Sequence, residues 1–201
     1  MIILSNTCTG SFIYKIKHWP LNTPTCWAMV DYLSLRNLCE SISFKQELPT
    51  FEYTLKKSKV NGNTYVMGSA PGINIHYVHY LYSNSTISGS EHKPQRVDIV
   101  GKDILEYTQL HITERLNRML YTDNIVCILD AIYCKTEVPE LTSYDLDDFY
   151  TWSFPNTRRI LVTANQNRYN RYKQKDNFIP ILGLNRKPRS NASQLLHMGV
   201  I

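Results

Sequence analysis

Five cysteines, six histidines and seventeen acidic residues supply the groups able to do covalent or acid–base chemistry in this 201-residue chain. Cys26 is the cysteine best placed for it. Thr23 suits an N-cap and Pro24 a first helical position, so Cys26 falls near the third position of an expected helix. Amide N–H groups and the macrodipole at such a terminus stabilise a thiolate, the form a cysteine nucleophile needs. A buried, inert thiol on a core face fits the same position. Asn22, just ahead, is a candidate donor to an oxyanion and equally a turn former. In Tyr144–Trp152 acids alternate with aromatics, so that Asp145 or a neighbour could orient a catalytic imidazole. The bland reading of that stretch is an acidic loop over aromatic packing.

Metal and disulfide chemistry find less support. Cys8, Cys26, Cys39, Cys127 and Cys134 are odd in number and form no CxxC pair, which points to a reducing compartment and away from a closed zinc site. His76 and His79 are three apart in an alternating stretch, hence on opposite faces of a strand. No cofactor and no metal are expected.

The elements that must position these residues are only partly legible. Residues 2–16 read as one or two short strands. A helix is expected from Pro24 with Cys26, Val30 and Leu33 on one face, and a second around 38–47. Residues 51–67 are ambiguous, and 73–82 fit a strand or a short buried helix. Strand-like runs follow at 97–100, 125–133 and 160–162. A helix-rich first half and a strand-rich second half argue for an α+β fold over a parallel α/β sheet.

Apolar residues make up 43% of the chain and charged residues 19%, a globular balance. The longest apolar runs are too short to span a bilayer, and the amino terminus lacks a signal-peptide pattern. The net charge of +5 is uneven: residues 151–201 hold nine Lys/Arg and one acid, Asp176, against thirteen and sixteen in residues 1–150. Within that basic segment, Arg168-Tyr169-Asn170-Arg171-Tyr172-Lys173 interleaves cations with rings, a pattern able to pair phosphates and stack bases. A solvated basic tail is the alternative.

Four blocks in order give the chain a likeness. They are Thr25-Cys26-Trp27, Gly68-Ser69-Ala70-Pro71, Lys93-Pro94-Gln95-Arg96-Val97 and Asp148-Phe149-Tyr150-Thr151-Trp152. Together they resemble the papain-like leader protease of picornaviruses, of the foot-and-mouth-disease type, over residues 1–165. The resemblance implies a compact papain-like fold, with a helical part over about 20–67, an antiparallel sheet part over about 70–165 and a basic extension over 166–201. It implies Cys26 as nucleophile, Asp145 as the acid orienting a histidine and Asn22 near the oxyanion. It also implies release from a viral polyprotein and cleavage or antagonism of host translation-initiation or innate-immune proteins in the cytoplasm, with the nucleus as a further location. A leader that has lost catalysis and acts by binding is the alternative within that family. An RNA-binding protein is the alternative outside it. The chain departs from the family at the catalytic histidine, whose position is taken by Asn124. His111, with His92 behind it, is the substitute base to consider.

Overall fold

The computed structural model describes residues 1–20, 23–26, 28–46, 50–57, 64–82, 104–119, 122–132, 144–183 and 187–201. In chain order the elements are β1 (Ile2–Ser5), α1 (Thr9–Ile16), β2 (Met29–Val30), α2 (Tyr32–Ser43), β3 (Glu52–Lys57), β4 (Thr64–Ala70) and β5 (Ile73–Tyr82). They continue with α3 (Ile104–Met119), β6 (Ile125–Asp130), α4 (Leu146–Thr151), β7 (Thr157–Thr163), α5 (Gln166–Arg171), β8 (Phe178–Leu182) and α6 (Pro188–His197). Helices and strands are mixed, as expected. Their arrangement differs from the expected one.

The strands form two four-stranded sheets, ordered β1-β6-β7-β8 and β2-β5-β4-β3. The first is parallel throughout and the second antiparallel throughout. The strands of the second half thus join β1 in a parallel sheet, and the antiparallel sheet belongs to the first half of the chain, where a helical part was expected ahead of an antiparallel carboxyl-terminal sheet. The cause lies in the burial of the strands. Every residue of β1 and β6 is buried, as are all but Arg158 in β7. Strands apolar on both faces fit a parallel sheet covered on two sides. The crossovers are easy to miss in sequence, because α4 and α5 have only six residues each.

Side-chain alternation fixes what lies on each face. Cys127 of β6 meets Cys39 of α2, and its neighbour in register, Arg159, donates to the carbonyls of Phe149 and Tyr150 in α4. Asp130, of the other parity, accepts from Thr9 of α1 and Asn191 of α6. The parallel sheet is thus the middle of three layers, with α2 and α4 on one side and α1 and α6 on the other. The hydroxyl of Tyr32 in α2 donates to Asp148 of α4 at 2.6 Å and accepts from the Trp152 indole at 3.1 Å, which ties the first side together.

Residues 166–201 are part of this fold and not an extension: β8 pairs with β7, and α6 packs on α1. The first expected helix is also relocated. Residues 23–26 form a turn that leads into β2, and the helix starts later, at Tyr32. The Thr25 hydroxyl lies 3.1 Å from that of Thr23 and accepts from Ser5 N–H at 3.3 Å, and such side-chain bonds compete with helix. Asp31 supplies the true cap, accepting from the Ser34 amide at 2.8 Å and the Ser34 hydroxyl at 2.6 Å. In residues 2–16, β1 is followed by α1, so Phe12, Ile13 and Tyr14 are helical.

Although β1 is an edge strand, its outward N–H groups are satisfied. Ile3 N–H donates to the Tyr14 hydroxyl at 2.9 Å and Ser5 N–H to Thr25 Oγ1. Among the described residues, no helix is long and apolar enough to cross a membrane.

Candidate functional site

The structure separates the residues that a cysteine protease would unite. Cys26 sits in the turn before β2, 1% exposed, and not on a helix N-terminus. Its thiol lies 3.4 Å from the Thr23 hydroxyl, and its carbonyl accepts from the Arg115 guanidinium at 3.3 Å. Burial pushes the thiol pKa up and outweighs the opposing pull of Arg115 and of hydrogen bonds from Thr23 and Ser11. Asp145 is exposed, and its carboxylate caps α4 by accepting from Asp148 N–H at 2.8 Å. Asn124, in the position of the family's histidine, is exposed at the amino end of β6, where its carbonyl accepts from Ile2 N–H at 2.8 Å. The turn that holds Cys26 touches Ser5 instead, at the carboxyl end of β1. His111 lies within α3, a helix and not the neighbouring strand expected of it. Asn22, Trp27, His92 and Cys134 lie outside the described residues.

The thiol and phenol environments make a checkable prediction. Burial, the largest cause in each case, raises the pKa of Cys26, Cys39, Tyr14, Tyr32 and Tyr53; a bond to Asp148 adds to it for Tyr32 and the neighbouring Cys127 thiol for Cys39. Each group is therefore kept neutral more strongly in the folded than in the unfolded chain. That stabilisation is complete below the unfolded values, about 8.5 for thiols and 10 for phenols, and is lost as pH rises through the folded ones. The urea midpoint is expected to fall steadily from pH 8 to pH 11. A flat profile would contradict it. In the native protein at pH 8, Cys26 is expected to resist a disulfide reagent that labels it at once in denaturant; fast native labelling would show an accessible thiolate.

The expected cation–ring stretch folds as α5 and the turn after it, which limits its use for RNA. Tyr172 is 4% exposed and donates its hydroxyl to Asp147 at 2.8 Å, and Arg171 is held by both Asp147 oxygens at 2.9 and 2.7 Å. An open groove of about 510 Å³ runs here, lined by Tyr144, Asp145, Asp147, Arg168, Arg171 and Tyr172. The acidic block and the basic block, read separately in sequence, thus meet through Asp147, which pairs with Arg171 and accepts from Tyr172.

Sequence reasoning passed over a different cluster. At the carboxyl end of β6, Asp130 is fully buried. Its carboxylate accepts from the Thr9 hydroxyl at 2.7 Å, the Asn191 amide at 2.8 Å and Ile132 N–H at 3.1 Å. Asn6, just past β1, bonds the backbone of Asp130 in both directions: its amide donates to the carbonyl at 3.2 Å, and its oxygen accepts from N–H at 2.8 Å. Asn191 is 1% exposed, and among the described residues its Oδ1 has no hydrogen-bond partner. That oxygen faces Gly183, at the end of β8, where a Cβ would stand 3.4 Å from Asn191 Oδ1 and 2.2 Å from the tip of Ile132.

The cluster occupies a particular place in the topology. β1 and β6 are adjacent and parallel, yet β1 continues into α1 on one face and β6 leads on to α4 on the other. Adjacent strands whose connections diverge leave a crevice at their carboxyl ends, where open α/β sheets bind ligands. The signal for it was present in sequence as two apolar runs that end in small polar or acidic residues, Ile2-Ile3-Leu4-Ser5-Asn6-Thr7 and Ile125–Asp130. Among the described residues, no group of three His, Cys, Asp or Glu is placed to hold a metal ion.

No protein-family model matches the chain, and no curated protein matches it. The fold and the fork between β1 and β6 are therefore what a functional reading has to rest on.

Proposed function

We propose that the chain binds a small polar molecule at the carboxyl edge of its parallel sheet, over the fork between β1 and β6. The observation that carries this reading is the buried Asp130 at that fork, held by Asn6, Thr9 and Asn191 from three other segments of the chain. Among the described residues Asn191 Oδ1 is left there without a donor, an acceptor suited to a ligand rich in hydroxyls. The N-terminus of α1, which opens beside Asp130, favours a negatively charged group on the same ligand. Nucleotides, nucleotide sugars and sugar phosphates share both features.

Peptide hydrolysis through Cys26, and the papain-like arrangement it requires, draw little support from this geometry. The thiol is buried and held protonated, and its turn carries no helix N-terminus. Between the two forms of the leader reading, action through binding is the one compatible with these residues.

The test is thermal denaturation of the full chain against a panel of nucleotides, nucleotide sugars and sugar phosphates. A ligand at a hundred times its Kd adds about 2.7 kcal/mol of stability, a rise of several degrees. The rise is expected in the wild type, lost in Asn6→Ala and retained in Arg168→Ala, which alters only the groove between α4 and α5. Equal shifts in all three proteins, or none with any compound, would sink the reading.

A further inference from the structure

The two sheets treat their edges differently. The N–H groups on the outer edge of β1 are taken up by Tyr14 and Thr25. On the antiparallel sheet, β3 pairs with β4 on one side, and among the described residues nothing pairs with its other side. Tyr53 is half-buried and every other residue of β3 is exposed, Leu55 to 44%. A six-residue strand with a free ladder edge is a template for another strand.

Its sequence selects the partner. In antiparallel pairing the two members of a pair turn their N–H and C=O groups either both toward each other or both away, so a strand paired with its own copy brings together residues of like parity. With the axis at Thr54, Glu52 stands opposite Lys56 of the second copy, Tyr53 opposite Leu55, and Thr54 opposite itself. Both Glu52–Lys56 pairs then lie on the exposed face beside Thr54. Both Tyr53–Leu55 pairs lie on the other face, beside Phe51, whose ring already contacts that of Tyr53. Moving the axis to Leu55 sets Thr54 against Lys56 and Tyr53 against Lys57, with no ion pair. An axis at Tyr53 leaves Glu52 opposite Thr54. The Thr54 register alone joins opposite charges and two apolar pairs, both favourable cross-strand combinations.

We infer that β3 is a self-complementary edge through which two copies of this chain form a two-fold dimer, with a continuous eight-stranded antiparallel sheet across the interface. The interface is isologous and closes at two subunits.

Charge reversal tests it on the full-length protein, with mass measured by light scattering and sedimentation across a concentration series. The wild type is expected to double in mass as concentration rises. Lys56→Glu and Glu52→Lys each set like charges opposite one another twice per dimer, and each is expected to weaken dimerisation by about tenfold or more. The double variant E52K/K56E restores both pairs and is expected to return to wild-type association. Thr54→Cys is expected to give a covalent dimer on mild oxidation, well above wild type and above Leu55→Cys, whose sulfurs would not face each other. These positions are exposed, so circular dichroism should be unchanged throughout. A wild type that stays monomeric, including one that binds only foreign peptides on this edge, would overturn the inference. So would single reversals that leave the dimer intact, or a double reversal that fails to restore it.

Discussion

Asp130→Ala is expected to be among the most damaging single substitutions in the chain, costing about 3–5 kcal/mol of stability. The carboxylate is fully buried and takes hydrogen bonds from Thr9, Asn191 and Ile132 N–H. Removing it leaves three buried donors unsatisfied, each at roughly 1–3 kcal/mol before relaxation. It also unties β6 from both helices that cover this side of the sheet, α1 and α6. In a chain of this length each kcal/mol moves the melting temperature by about 2–4 °C, so a fall of roughly 10 °C is expected. Asp130→Asn keeps the shape and part of the network. With its new amide in place of Oδ2 it can donate to the Thr9 hydroxyl but cannot accept from Asn191, while Oδ1 still accepts from Ile132 N–H, so a loss of about 1–3 kcal/mol is expected. Urea denaturation followed by circular dichroism reads both. An alanine variant within about 1 kcal/mol of wild type would show that the network contributes little.

The second large effect concerns Arg159, only 2% exposed and yet cationic. Its Nη1 donates to the carbonyls of Phe149 and Tyr150 at 2.7 and 2.9 Å, in the last turn of α4. The guanidinium carbon lies 5.4 Å from the centre of the Trp152 ring and 5.5 Å from that of Phe178. Helix carbonyls and two ring faces thus hold the charge, though burial lowers its pKa. Lysine keeps the charge but offers a compact, strongly hydrated ammonium with no plane to stack. Arg159→Lys is expected to cost about 3–4 kcal/mol, and Arg159→Met, which removes the buried charge while filling the space, about 1–3 kcal/mol. The order is the informative part, because a substitution judged only by charge would predict the reverse. A buried lysine has a folded pKa below its unfolded value of about 10.4, so the Arg159→Lys deficit should shrink as pH rises toward that value. A lysine variant as stable as wild type at pH 7 would show that stacking and the paired carbonyls add nothing.

Both residues explain how much of the molecule could be read from sequence. The apolar runs at 125–133 and 160–162 mark the strands β6 (Ile125–Asp130) and β7 (Thr157–Thr163), because short runs of consecutive apolar residues suit strands buried on both faces. Their direction was not legible. α4 and α5 are each barely a turn and a half long, and without them the runs look like a meander. Asp145 looked catalytic because acids beside aromatics suit an imidazole; the same residue type is also a good N-cap, and the cap is what it serves here. Thr23 and Pro24 are a sound helix-start signal, overridden by hydroxyls that bond Ser5 and each other, so Cys26 lies in a turn. Asp130, at the end of an apolar run, carried no motif. Its meaning depends on Asn6, 124 positions away in sequence, and such a pairing has no local signature.

That separation also bears on how the protein is made. β1 contributes the first strand of the parallel sheet, but among the described residues its one partner strand, β6, is the fifth strand to emerge after it. At about 5–20 residues per second, synthesis leaves Ile2, Ile3 and Leu4 without their sheet for roughly 6–25 s. During that interval α1, β2 and the β3–β4–β5 meander can form from nearby segments, whereas the central layer cannot. The order of synthesis thus lets the antiparallel sheet form while the apolar residues of β1 still lack their partner strand.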